Sequence, residues 1–412
     1  MARRSPFADK WPLDPAITFL NHGSFGACPT AVLASQRAWQ DRMEGEPVRW
    51  FADELEPAQD DARRRVGAFL NADPDDLAFV ANATAGVNTV LRSLHFKPGD
   101  RILAADHEYN AILNAAAFVA ARDGATLDIA ALPFPVDGPE AIIEGVLDAV
   151  RPRTRLVVLS AITSPTAVVM PIVDLVHALT DRGIEVLVDG AHAPGQVPVD
   201  IGALEAAGVS YWTGNAHKWL CAPKGSGILW VRRDRQPGIR PLVISHGANA
   251  ERADRSRFRL EFDWQGTDDW SAPLSIPAAI DVLAGWVPDG WREIMARNHA
   301  LAIGGRDLVC DRLGLEPATP DGMVGAMAAI PLPVDPAASE SHSPLDIDPL
   351  QAALMERHRI QVPIGPWPTA WTPGRDASAP SGRLLRLSAQ LYNSLSDYEQ
   401  LAEGLAELLP RR

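Results

Sequence analysis

The sequence lacks any apolar run approaching the roughly 20 residues that a membrane-crossing helix needs, so a helix-spanning membrane protein is excluded. It is short of cysteine. Cys28, Cys221 and Cys310 are odd in number and scattered, and supply neither a disulfide framework nor a cluster of metal ligands. It is short of positive charge: 38 Lys and Arg against 52 Asp and Glu leave a net charge of −14. Such an acidic balance argues against nucleic acid and anionic membranes as partners, since both want a basic surface. Met1-Ala2-Arg3-Arg4 is basic, but no hydrophobic signal core follows it, so no secretion signal is expected and the expected location is the cytoplasm.

What is present is an enzyme-sized chain of 412 residues, 47% of them hydrophobic, long enough for a large domain and a smaller one. Glu185 to Trp230 is the informative stretch. Val186-Leu187-Val188 is a short β-branched run that reads as a buried strand ending at Asp189-Gly190. In an open parallel sheet the carboxyl ends of strands are where ligands bind, so Asp189 is an acid at a site-facing strand end. Tyr211-Trp212-Thr213 reads as the next strand, and Ile228 to Val231 as the one after. Between them lies Lys218, 218 − 189 = 29 residues beyond Asp189, enough for a strand to end, a helix to cross and another strand to begin. A buried lysine amine can form a Schiff base, and pyridoxal 5′-phosphate sites pair that lysine with an acid on the pyridinium nitrogen. Lys218 and Asp189 fit these two roles.

Further strands are expected at Ile17 to Leu20, Leu77 to Val80, Arg101 to Ala104 and Arg155 to Ile162, the last apolar throughout as a sheet covered on both faces requires. After Leu77 to Val80 come small residues and a hydroxyl, Ala83-Thr84, at the start of a helix. Free N–H groups and the helix dipole make such a start either a phosphate seat or a plain capped terminus. Glu46 to Phe51 is expected to break the helices on either side. Within it Arg49 is either a contact for an acidic substrate or an exposed arginine. Arg232 to Arg259 is rich in arginine and reads as surface and dimer contact.

VDGAHAPG followed by TGNAHKW resembles the class V (fold type I) pyridoxal-phosphate-dependent aminotransferase superfamily. FLNHGSFGACP, NATAGVNTVLRSL and DHEYNA resemble its isopenicillin N epimerase-like branch, and the likeness covers nearly the whole chain. The resemblance implies an α/β fold: a lead-in over 1–14, a large cofactor-binding domain with a mainly parallel mixed sheet over 15–285, and a small C-terminal α/β domain over 286–412. It implies Ala83, Thr84, Asn215 and His217 at the phosphate. It implies a flat side chain over the ring, for which both His107 and Tyr109 are available; matching Asp106-His107 to the desulfurases' acid–histidine pair favours His107. Ser164 and His192 are expected beside the cofactor's 3′-oxygen, with His192 as a donor. Asn21, His22 and Gly23 are expected on the substrate side, and Arg386 on the substrate carboxylate. Gly266-Thr267 matches a turn that reaches the partner's phosphate, which implies a homodimer with shared active sites and an amino-acid substrate.

Three outcomes stay open after loss of the Cα proton: epimerisation, elimination by a C–S lyase, and transamination. Lys218 is the natural base for that proton, and His22, Tyr109 and His217 are the candidates to return one on the other face. Ile360 to Leu385 contains no cysteine, so the desulfurases' route through a mobile nucleophilic cysteine has no residue to carry it. A non-catalytic cofactor-binding protein is the alternative of a different class, and the intact set Lys218, Asp189 and Arg386 argues against it.

Overall fold

The computed structural model describes residues 4–333, 346–375 and 382–409; the polar loop expected over Asp335 to Pro344 lies outside them. Seven strands form the principal sheet, in the order Leu77–Val80, Gly227–Val231, Tyr211–Asn215, Glu185–Gly190, Thr154–Ser160, Arg101–Ala105, Thr126–Ala130. The last five run parallel, and Gly227–Val231 is antiparallel to both its neighbours. The apolar runs are explained by this burial. Val186 and Val188 feed the hydrophobic core on one face of the sheet and Leu187 the core on the other, and Val157 and Val158 divide in the same way. Register sets Ser160, Asp189 and Thr213 in one row near the carboxyl ends.

A second, antiparallel sheet has Gly382–Ser388 between Ile364–Trp367 and Met327–Leu332. Its core includes Ile330, Leu385 and Leu387, with Tyr398 and Leu401 of the helix Leu395–Leu408. Thr18–Phe19 pairs parallel with Ile360–Gln361, so the segment leading into His22 is stitched to the C-terminal part of the chain. No helix among the described residues is long and apolar enough to cross a membrane.

Three expectations are corrected. The lead-in over 1–14 reads in sequence as poorly ordered, but from residue 4 onward it is packed onto the fold. Trp11 is buried edge-on to Trp286 and Tyr392, with ring centroids 5.0 and 5.1 Å away, and its indole N–H donates to the Ala27 carbonyl at 3.1 Å. The break expected over Glu46 to Phe51 is confined to Glu46, which ends the helix Thr30–Gly45 with a non-helical φ of −158°. The Glu46 carboxylate accepts the Arg49 N–H at 3.1 Å and Pro47 occupies the first turn, so a helical turn starts there. It runs through a π segment, Trp50–Glu54, into Leu55–Leu70. The arginines before residue 260 are not all surface. Arg259 is buried and its Nε donates to Asp263 at 3.1 Å, while Arg63 reaches the same carboxylate from the helix Leu55–Leu70. Four charges desolvated together, Arg63, Arg259, Asp263 and the half-buried Asp60, hold that helix to Arg257–Asp263.

Truncating one partner of such a cluster strands a buried charge. Arg63→Ala should destabilise the fold by about 3–5 kcal/mol. Arg64→Ala, whose partner Asp61 is as exposed as Arg64 itself, should cost under about 1 kcal/mol. Urea unfolding midpoints of the two variants check the contrast.

Candidate active site

Lys218 lies just beyond the strand Tyr211–Asn215, at the carboxyl end of the parallel sheet. Its side chain is only partly exposed, and protein walls the amine. Burial, with the Arg386 guanidinium nearby, lowers its pKa to about 7, against the opposing pull of Asp189. Asp189 ends the neighbouring strand and is fully enclosed, which pushes its pKa up; one carboxylate oxygen accepts the Ala191 N–H at 2.9 Å. His192, on the turn that follows, has Nε2 3.1 Å from Lys218 Nζ. Burial first, then the Lys218, Arg386 and His217 charges, hold His192 well below the usual imidazole range. Gly26 shows how tightly the floor is built. It has φ +70°, and a Cβ there would sit 2.1 Å from the His217 carbonyl oxygen.

His217 packs beside Lys218 with its Nδ1 buried and without a partner, and burial lowers its pKa to about 4. The facing helix, Ala83–Ser93, is capped by Asn82, whose Oδ1 accepts the Ala85 N–H at 2.9 Å. The Ala83 N–H is taken by Asn215 Oδ1 at 2.7 Å. Ala83 and Asn215 therefore satisfy one another and fix the helix start. The Thr84 hydroxyl is left free at the dipole's positive end.

Arg386 lies on the middle strand of the small sheet. Nη1 donates to the Ser164 carbonyl at 2.5 Å, and Nη2 to Ser24 Oγ at 3.0 Å. Ser24 Oγ in turn donates to Asn21 Oδ1 at 2.5 Å, so Asn21 acts on the guanidinium through Ser24. Arg386 Nε is buried and unpartnered, and no carboxylate among the described residues pairs with the group. Burial lowers its pKa to about 10. A cation so placed, with donors to spare, is a receptor for a carboxylate.

Several expected residues stand elsewhere. His22 is fully buried, with Nδ1 2.9 Å from Tyr392 Oη and Nε2 3.0 Å from the Lys218 carbonyl. Both ring nitrogens are engaged within the protein. Burial lowers its pKa to about 3. Gly23 donates its N–H to Ser388 Oγ at 3.1 Å, beneath the site. His107 is 0% exposed, bonded to Thr166 Oγ1 at 2.8 Å and to the Leu132 carbonyl at 3.3 Å, with its edge on Trp367. It has no open face for a stacked ring. Tyr109 is 47% exposed and close enough to Arg386 to interact with its charge. Ser164 serves Arg386. Arg49 is exposed, with Nε 2.7 Å from Glu54. Thr267 is exposed beside Gly266, which has φ +114°. A cavity of about 430 Å³ bounded by Pro12, Phe19, Cys28 and Lys224 takes in none of the expected site residues.

Glu108 was not anticipated. It is enclosed next to Asp189 and accepts the Ser160 N–H at 2.9 Å, and burial raises its pKa to about 8. Trp219 was also missed. It adjoins a recognised motif, and that adjacency was the available signal; Ser24 ends the Asn21 to Ser24 stretch expected beside the substrate side chain. An acid end for a ring nitrogen (Asp189), a neutral-prone amine (Lys218), and a free hydroxyl with an orphaned imidazole nitrogen for an anion (Thr84, His217) together fit pyridoxal 5′-phosphate.

Comparison with known proteins bears on the same site. The family model described as Aminotransferase class-V matches residues 26–302. The chain is 35% identical to isopenicillin N epimerase of Amycolatopsis lactamdurans, over 96% of each chain. It is 31% identical to a probable chloroplastic L-cysteine desulfhydrase of Arabidopsis thaliana, over 96% of this chain and 84% of that one. In fold it is similar to a cysteine desulfurase from Escherichia coli, with TM-score 0.76, 22% identity and 97% of each chain covered.

With its pKa near 7, the Lys218 amine should be neutral, and therefore nucleophilic, from about pH 7 upward. Labelling of Lys218 by an amine reagent in the cofactor-free protein, followed by mass spectrometry, should rise through about pH 7.

Proposed function

The chain belongs to the aminotransferase class-V family, and from that premise we propose that it is an epimerase of the isopenicillin N epimerase type, inverting the α-carbon of an amino acid. It is an enzyme whose cofactor is pyridoxal 5′-phosphate, which when bound supplies an electron sink for charge developing at Cα. Lys218 would hold the cofactor's aldehyde carbon, Asp189 its ring nitrogen, and Thr84 with His217 its phosphate. Tyr109, rather than the enclosed His107, would cover the ring. Arg386 takes the substrate carboxylate, held square to it by Ser24 and Ser164. Lys218 Nζ takes the Cα proton. The Tyr109 hydroxyl returns one on the opposite face, since both His22 nitrogens are engaged and His217 is given to the phosphate. The observation that carries this reading is the buried, charge-depressed Lys218 amine beside Asp189, with an Arg386 that has no acidic partner.

The active unit in this reading is a cytoplasmic homodimer in which Thr267 reaches the partner's phosphate. Its exposure, and the exposed apolar run Leu242-Val243-Ile244, support that. In this reading a large domain runs to residue 285 and a small one from residue 286; two separate cores support two units, although Val287, Ile294, Met323, Leu391 and Tyr392 pack into the larger core and Leu20 into the smaller. A C–S lyase is the second reading, favoured by the desulfhydrase relative; it needs no cysteine between Ile360 and Leu385, where there is none. It needs no group on the second face.

Incubation with single amino acids in deuterated water separates the two. Deuterium at an inverted Cα is expected, and release of pyruvate and ammonia would instead establish the lyase. Tyr109→Phe should abolish inversion yet leave elimination unharmed. Arg386→Ala should raise KM by about 10- to 150-fold, the loss of a charge-assisted hydrogen bond. Unchanged substrate binding in that variant would contradict the assignment of the carboxylate.

A further inference from the structure

His192 is bonded at both ring nitrogens, and its two neighbours differ in kind. Trp219 Nε1 approaches His192 Nδ1 at 3.4 Å, and Lys218 Nζ approaches Nε2 at 3.1 Å. An indole N–H donates and cannot accept. His192 Nδ1 must therefore present its lone pair to Trp219. A protonated ring, with N–H on both nitrogens, would set two donors against each other there. The ring is left neutral with its single proton on Nε2, facing the lysine.

Neither partner is free to turn. Trp219 is fully buried in a cluster with Ile162, Ala167, Ala326 and Met327. Its ring lies 4.9 Å from that of His22, which is itself tied to Tyr392 and to the Lys218 carbonyl. The His192 backbone is held through its carbonyl, which accepts from Gln196 Nε2 at 2.8 Å. The charged groups that face His192 are Lys218, Arg386 and His217, with Asp189 acting on Lys218 from the next turn. None of them offers an acceptor that would draw the proton to Nδ1.

We propose that Trp219 is a positioning residue, whose indole N–H locks His192 in the Nε2–H tautomer and so makes it a fixed hydrogen-bond donor toward the Lys218 nitrogen and never a base. The consequence for the cofactor rests on the function proposed above: the same Nε2–H is the donor available to an oxygen beside that nitrogen. A donor at this point stabilises the neutral amine of Lys218. An acceptor there would favour the ammonium.

The test uses the full-length chain without cofactor, so that it stands whatever reaction the enzyme performs. In protein labelled with ¹⁵N-histidine, the His192 signals, identified by their loss in His192→Gln, should show a protonated Nε2 and an unprotonated Nδ1. Protonation on Nδ1 in the unsubstituted protein would overturn the proposal, and this reading needs no variant at Trp219 to fold. In Trp219→Phe the lock is gone. The pH midpoint for covalent attachment of added pyridoxal phosphate to Lys218, followed by absorbance, should then rise by about 0.5–1 unit, the equivalent of one hydrogen bond. In a His192→Gln background the Trp219→Phe change should leave the midpoint where it was. A shift of equal size in both backgrounds, or none in either, would show that Trp219 does not act through His192.

Discussion

The structure turns on one electrostatic arrangement: a lysine amine and a carboxylate, both taken out of water at adjacent strand ends and each altering the other's proton affinity. Burial alone drives Lys218 toward the neutral amine and Asp189 toward the neutral acid. Their mutual attraction opposes both shifts. Arg386 adds a second positive charge that tilts the balance toward a neutral lysine. Arg386 Nε and His217 Nδ1 are buried there with no partner in the protein.

The rest of the chain holds that arrangement in place. The parallel sheet sets Ser160, Asp189 and Thr213 in register. The small sheet delivers Arg386, and the N-terminal segment joins the two. Its His22 clamps the Lys218 carbonyl, its Ser24 squares the guanidinium, and its Gly26 lets the backbone pass against His217. Because Thr18–Phe19 is paired to Ile360–Gln361, movement of the small sheet relative to the large one would be transmitted to both the lysine and the arginine.

Strand ends were legible from sequence because the physics there is local. A β-branched run stops, an acid follows, and in a parallel sheet that acid faces the ligand side. Asp189, Lys218 and Arg386 were read in this way, or by their match to motifs, and the structure brings their charges within reach of one another. His22 and His107 were misplaced because a histidine near a motif looks the same whether its nitrogens are open or satisfied. Their partners Tyr392 and Thr166 lie 370 and 59 residues away. Ser164 was displaced for the same reason, since it answers to an arginine 222 residues distant. The break at Glu46 was drawn too long, to Phe51, for a different reason. Proline at a first helical turn starts a helix as readily as it ends one, and the buried Trp50 that carries the path onward gives no local sign of its burial.

Lys218 is the residue proposed to hold the cofactor. With only four lysines in the chain, it can be checked without ambiguity. The enzyme loaded with pyridoxal phosphate is reduced with borohydride, digested, and the modified peptide sequenced by mass spectrometry. The reduced cofactor should be found on Lys218. Its presence on Lys224, Lys97 or Lys10, with Lys218 unmodified, would contradict the account.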